Sequence, residues 1–265
     1  GGGIATGAII NILAASGVGK TSLVNQCVLH WIKEGLNPGI VSLEADLGDY
    51  GENILGVHMK EKLQLIVDPN DKFNHISSMQ EEADKLFKNP EGKPTFYVID
   101  DRGDYDQLQA RIEQLIISCD SKIVIIDVLS DVFEGMSLEF QSSWMAWEKK
   151  VCKRYGTILV NVVHARKAAS GQKVGSRGAV LSEEDISGSS SQFKSGALNI
   201  SLSRDKEAED DVVRNLVAVH LSKNRFTGIT QNGIMHLSYD LKTHTLSDAS
   251  GLFEQIKAKE ESEGF

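Results

Sequence analysis

Apolar residues cluster in short runs along the first part of the chain, and most runs are followed by stretches with apolar positions three and four apart. Residues 8–15 form the first run, the signature of a strand covered on both faces of a parallel sheet. Leu23, Val24, Cys27, Val28, Trp31 and Ile32 then fall at helical spacing, and the pattern stops before Gly35 and Pro38. The strand signature returns at 39–43, 95–99, 122–127 and 157–163, with Ile-Val-Ile-Ile at 123–126 the purest example. Helical patterns lie between the later runs, over 105–117 and along the stripe Phe140, Trp144, Trp147, Val151 and Tyr155. Residues 50–94 are mixed and polar, with a helix predicted only over 78–88. This alternation predicts an α/β fold, a mostly parallel sheet with helices on both faces. From about residue 197 the texture changes. Residues 197–203, 215–222 and 233–239 read as strands joined without helices, an antiparallel C-terminal extension of the sheet. Between the two regimes, 165–195 is long, polar and rich in Gly and Ser, which points to a functional loop.

Length adds a boundary. The 265 residues suit one large α/β domain or two small ones; a single domain is placed at 1–250, with 251–265 as a charged tail carrying Glu-Glu-Ser-Glu. Within it, 256–265, which ends on Phe265, reads as a solvated end, with docking on a basic patch of a replication partner as the alternative. The opening Gly-Gly-Gly reads as the start of an excised fragment. No apolar run approaches the ~20 residues of a membrane span, and no signal peptide is visible, so no membrane partner is expected. Cys27, Cys119 and Cys152 are scattered, which fits neither a zinc site nor a disulfide framework and suggests a reducing compartment. The net charge of −9 argues against nonspecific nucleic-acid affinity, while leaving room for a local basic patch.

The chemistry concentrates at strand ends. Residues 14–21 read Ala-Ala-Ser-Gly-Val-Gly-Lys-Thr between the first strand and the first helix, a phosphate-binding loop in its required context. Gly17 and Gly19 let backbone N–H groups curl around phosphate oxygens. Ser16, Val18 and Ser22 complete the nucleotide-binding stretch. Lys20 reaches the β- and γ-phosphates, and Thr21 ligates Mg²⁺. Ala14 replaces the first Gly of the usual pattern. Glu44, Asp127 and His164 each end a predicted strand on the edge where ligands bind in a parallel sheet. Asp127 suits Mg²⁺, Glu44 suits a general base with Asp46 as a competitor, and His164 suits a γ-phosphate sensor. Arg166, Lys167, Lys173, Arg177 and Lys194 lie among Gly and Ser in the long loop, a composition fit for a phosphodiester backbone. Lys223 and Arg225 fit an arginine finger with an auxiliary lysine.

Taken together, the blocks Ser-Gly-Val-Gly-Lys-Thr, Ser-Leu-Glu, Ile-Ile-Asp, Val-Val-His-Ala-Arg-Lys, Asp-Ile-Ser-Gly-Ser and Ser-Lys-Asn-Arg-Phe-Thr-Gly resemble the hexameric RecA-fold replicative DNA helicases. These are the DnaB-like proteins, and the phage and mitochondrial primase-helicase branch is the nearer match. The resemblance covers residues 8–246. It implies a RecA-like phosphate-loop core that binds ATP (or another NTP or dNTP) with Mg²⁺ and forms a homo-hexamer around single-stranded DNA. It implies 5′→3′ travel driven by hydrolysis at subunit seams. Glu44 becomes the base, His164 the sensor, and Lys223 and Arg225 the cations reaching a neighbour's nucleotide. Arg204 and Tyr239 sandwich the base. Gly188 and Ser189 join the DNA-binding loops. Lys194 stands where relatives carry Gln, and Ser187 where they carry a basic residue. Primase and a replicative polymerase are the implied partners, and the cytoplasm, that of a bacterial host for a phage protein, is the implied compartment, ahead of the mitochondrial matrix. The rival readings are a RecA-like recombinase filament, a small-molecule kinase and a non-hydrolysing loader or clamp.

Overall fold

The computed structural model describes residues 4–43, 45–101, 103–165, 175–182, 185, 191–227 and 234–263. Glu44, Arg166, Lys167, Lys173, Ser187, Gly188 and Ser189 therefore lie outside the described residues. So do the acidic tail's last two residues, 264–265.

The chain opens with β1 (Ile9–Ala14), α1 (Lys20–Lys33), β2 (Gly39–Ser42), α2 (Leu47–Met59), α3 (Pro69–Ser78), α4 (Gln80–Phe87), β3 (Tyr97–Ile99) and α5 (Tyr105–Ser118). It continues through β4 (Ile123–Asp127), α6 (Leu129–Val132), α7 (Leu138–Tyr155), β5 (Ile158–His164), α8 (Ser191–Ser195), β6 (Leu198–Arg204), α9 (Asp211–Arg214), β7 (Leu216–Asn224), β8 (Ile234–Tyr239), β9 (Leu246–Asp248) and α10 (Ser250–Glu263). The described strands make a nine-stranded sheet in the order β3-β2-β4-β5-β1-β6-β7-β8-β9. Strands β3 to β6 in that order pair in parallel, and β7, β8 and β9 run antiparallel.

One expectation is corrected here. The antiparallel extension begins at β7, not at 197–203, because β6 pairs in parallel with β1, Ile10 opposite Leu198 and Ala14 opposite Leu202. The long connection through 165–195 is a crossover, which returns the chain to the starting edge before β6 begins. The consequence is geometric. The end of β6 lies beside the phosphate loop, whereas β7, running back, carries its own end to the opposite edge.

Residues of the parallel strands alternate between two cores. Ile10, Ile12, Ile40, Ile125, Val160 and Val162 pack under α1, α2 and α4 with Val24, Val28, Ile54 and Leu86. Ile9, Leu13, Val41, Val124, Ile126 and Val163 pack under α5 and α7 with Leu108, Ile112, Trp144 and Val151. This two-sided burial explains the unbroken apolar runs. Within 50–94, α2 and α3 go beyond the single helix that the sequence predicts. Asp46 caps α2 by accepting from Asp49 N–H at 2.8 Å, and Asp68 caps α3 with Pro69 in its first turn. The α3 helix buries no residue fully, so it carries no apolar stripe to be read. Capping α2 gives Asp46 a structural task. The helix α10 begins at Ser250, and its Phe253 stacks on His236 with ring centres 3.5 Å apart.

A polar seam interrupts the second core. Asn11, Asn161 and Asn199 stand opposite one another on three adjacent strands, each with no solvent exposure. Asn11 Nδ2 donates to Asn199 Oδ1 at 2.8 Å and to Gln192 O at 3.0 Å, and Asn199 Nδ2 donates to Phe193 O at 3.1 Å. Thus α8 is pinned to the sheet through its backbone carbonyls. Gly196 closes over the pair: a Cβ there would fall 2.2 Å from Asn199 Oδ1 and 2.4 Å from Asn11 Nδ2. On the other side, Asn161 Nδ2 and Trp144 Nε1 each donate at 2.8 Å to Glu148, itself fully buried.

Burial pushes the Glu148 carboxyl from its ordinary 4.5 up to about 7, against the lowering effect of its two donors. Between those values the folded chain keeps a proton that the unfolded chain releases. The contribution of Glu148 to stability is therefore fully present below about pH 4.5 and lost as pH rises through 7, a swing of roughly 3 kcal/mol. Glu148→Gln is expected to flatten this part of the pH profile, as measured by urea midpoints from pH 5 to 8.

Candidate nucleotide site

The site starts from β1. Its last residue, Ala14, lies opposite His164 on β5 and Leu202 on β6, so three strand ends converge at the loop 15–19. Gly17 (φ 73°) and Gly19 (φ 107°) adopt left-handed backbone that side chains resist, and Gly19 caps α1. Val18 turns into the core. The loop thereby presents its N–H groups at a helix N-terminus, where an anion is favoured.

A cleft of about 400 Å³ opens above the loop. Ser16, Gly17, Gly19, Lys20, Thr21 and Ser22 form its floor, and His164, Arg204 and Tyr239 its walls. Lys20 Nζ lies 3.7 Å from Asp127 Oδ1, and both side chains are nearly buried. Asp127 ends β4, opposite Ser42 of β2, and Leu43 N–H donates to Asp127 O at 3.2 Å. His164 is held through its N–H, which donates to Ser130 Oγ at 3.0 Å. Of the predicted nucleotide residues, the structure thus gathers all the described ones, Ser16 to Ser22, Asp127, His164, Arg204 and Tyr239, at one end of the sheet.

Arg204 and Tyr239 differ in detail from the sandwich geometry. The guanidinium carbon sits 4.8 Å from the Tyr239 ring centre. A base between them needs two van der Waals layers of about 3.5–4 Å each, so the pair stacks on itself and must part by about 3 Å to admit one. Arg204 is the fixed member, donating to Arg214 O at 2.6 Å and Asn215 Oδ1 at 2.7 Å.

Lys223 and Arg225 lie elsewhere. Asn224 pairs with Leu198, the first residue of β6, while Arg204 at its far end pairs with Val217. Six residues at ~3.3 Å each separate the two ends by about 20 Å. There Lys223 Nζ donates to Phe193 O at 2.8 Å, and Arg225 Nη2 to Lys194 O at 2.8 Å. Lys194 sits exposed on α8 at this same end. Arg177 lies at the other, pairing with Asp205 and bridging to Glu207 at 2.9 Å. The two described members of the proposed DNA-contacting set are therefore at opposite ends of β6.

Several cleft residues carry no signal in the sequence: Asn53, Gln64 and His244 line its outer wall, and Lys206 Nζ donates to Ser16 O at 3.2 Å. Asn53 and Gln64, joined at 2.8 Å, come from the polar stretch in which only one helix is predicted. Lys206 follows a strand expected to run antiparallel; the parallel sense of β6 is the missing signal.

Fold and site together define a phosphate-loop domain of the RecA-like type. The chain is similar to one solved ATPase domain with a TM-score of 0.70 and 14% identity, over 93% of this chain and 86% of that one. It is likewise similar to a DnaB-like replicative helicase solved to describe its interactions with primase, with a TM-score of 0.71 and 16% identity over 91% and 59% of the two chains. In fold, then, it is similar to the ATPase domains of DnaB-like helicases. In sequence it is 27% identical over 252 residues to a DNA helicase/primase of Enterobacteria phage T3, an alignment that takes in 92% of this chain and 43% of the phage protein. The chain thus spans less than half the length of that curated relative. No family model matches it.

Tyr239→Ala removes the aromatic half of the stacking pair. It is expected to weaken binding of an adenine nucleotide about five- to tenfold, roughly 1 kcal/mol, in a calorimetric titration, with the melting temperature held as a check on folding.

Proposed function

We propose that this chain is the motor domain of a replicative DNA helicase, an NTP-hydrolysing enzyme that uses ATP or a related nucleotide with Mg²⁺ to separate DNA strands. The observation that carries the proposal is the opposition of two half-sites. The phosphate loop, Asp127 and His164 lie at one end of β6, and Lys223 and Arg225 lie about 20 Å away at the other. A chain built so cannot bring Lys223 and Arg225 to its own phosphates. Copies arranged head to tail in a closed ring would bring the cation end of one to the phosphate end of the next, which favours a hexamer over a self-contained kinase. The similarity to the phage T3 helicase/primase supports the same reading.

In this mechanism the loop N–H groups and Lys20 hold the phosphates. Thr21 and Asp127 would hold Mg²⁺, which polarises the phosphate oxygens. Among the described residues no three His, Cys, Asp or Glu side chains cluster, and this donor set suits an ion that rides on phosphate and water with one or two protein ligands. Glu44 takes the proton of the attacking water. His164, anchored by Ser130 on one side and facing the cleft on the other, senses the terminal phosphate. Arg225 and Lys223, held by the α8 carbonyls, stabilise the charge that develops in the neighbour's site. Travel along single-stranded DNA is 5′→3′, and primase and the replicative polymerase are its partners. Among the described residues no helix is long and apolar enough to cross a membrane.

A strand-displacement assay on forked DNA with 5′ or 3′ tails tests the function. The assembled full-length protein is expected to unwind only forks with a 5′ single-stranded tail; absence of unwinding from intact rings overturns the proposal. Glu44→Gln is expected to leave nucleotide affinity within about threefold and to cut turnover by about 10²-fold or more, read by phosphate release.

A further inference from the structure

Beyond the end of β6 the backbone does not leave the sheet edge at once. Arg204 N–H donates to Gly175 O at 2.8 Å and Lys206 N–H to Ser176 O at 3.0 Å. Arg177 and Asp205 pair as a bridge. This short ribbon projects Lys206 over the phosphate loop. The carboxylates beside it have partners of their own: Arg177 bridges Glu207, and Asp205 Oδ1 accepts from Glu207 N–H at 3.0 Å. The Lys206 ammonium instead reaches the loop, 3.2 Å from Ser16 O and 2.8 Å from where a Cβ on Gly17 would stand. Gly17 thus has a second reason to lack a side chain, since any would displace this cation.

We infer that Lys206 is a phosphate-contacting residue supplied by the same chain, one that donates to the terminal phosphate of a bound nucleoside triphosphate. The inference rests on the nucleotide-binding reading of the cleft. The loop's N–H groups and Lys20 hold the β- and γ-phosphates at the start of α1, on a loop whose Ser16–Gly17 edge Lys206 covers. Lys20 has Asp127 beside it at 3.7 Å, which offsets part of its charge. Lys206 enters from the β6 side, with a flexible four-carbon stem and three rotatable donors. Exchanging the neutral Ser16 carbonyl for an anionic phosphate oxygen replaces an ordinary hydrogen bond with a charge-assisted pair.

Calorimetric titration with Mg²⁺-AMP-PNP and with Mg²⁺-ADP tests this on the wild-type chain, Lys206→Met, Lys206→Arg and Lys20→Ala. Lys206→Met is expected to weaken AMP-PNP about ten- to a hundredfold, the range of a charged hydrogen bond, and to leave ADP within about twofold. Lys206→Arg restores most of the loss. An unchanged AMP-PNP affinity in Lys206→Met overturns the inference, as does an equal loss of AMP-PNP and ADP, which marks a support for the loop rather than a contact. A wild-type chain that binds neither nucleotide, or binds both independently of Lys20, overturns the nucleotide-site reading itself and Lys206 with it.

Discussion

The parallel pairing of β1 with β5 on one side and β6 on the other is the constraint on which the rest depends. One strand in the middle of a sheet can lead straight into a glycine loop only if its neighbours stop level with it and leave the space above open. The register Ala14–His164 and Ala14–Leu202 meets that condition. It sets the sensor candidate beside the loop and delivers Arg204 and Lys206 just past its other flank. Had β6 run antiparallel to β1, as the sequence pattern predicts, both would lie at the far edge and the cleft would lack its outer wall.

The reversal at β7 then gives the domain polarity. The cleft-lining groups collect at the C-terminal ends of the parallel strands, and the Lys223 and Arg225 cations collect at the other. Between the two ends runs the Asn11–Asn161–Asn199 seam, which ties α8 to the centre of the sheet. The helix α8 in turn supplies the carbonyls that orient Lys223 and Arg225. The cation pair is therefore braced by buried amide contacts rather than left at the end of a loose turn. This is the rigidity a group needs if it must meet a phosphate on another molecule at fixed geometry.

Much of this is readable from sequence, for identifiable reasons. The parallel strands announce themselves because both faces are covered, leaving no polar alternation to blur them. The phosphate loop is readable because φ-positive glycines, a lysine and a hydroxyl must follow one another at fixed spacing. Asp127 and His164 stand out because strand ends in a parallel sheet share an edge. What stays hidden is whatever depends on tertiary partners. Helix α3 has no buried stripe to signal it, and the direction of β6 is a property of its neighbour rather than of its own residues. Lys206, a single exposed lysine between two acids, gains its meaning only from the loop it meets. The Arg204–Tyr239 pair is named only through the family resemblance, and its closed stacking comes from the coordinates.

Gly196 has a consequence for descent. A methyl group at that position would overlap both amides of the Asn11–Asn199 pair. If the amides gave way to aliphatic side chains, the hydrogen bonds that hold α8 would go with them. None of the three positions can drift alone. Across relatives, positions 11, 196 and 199 should change together or not at all, and their joint identity would sort lineages that brace α8 through amides from those that rely on apolar packing.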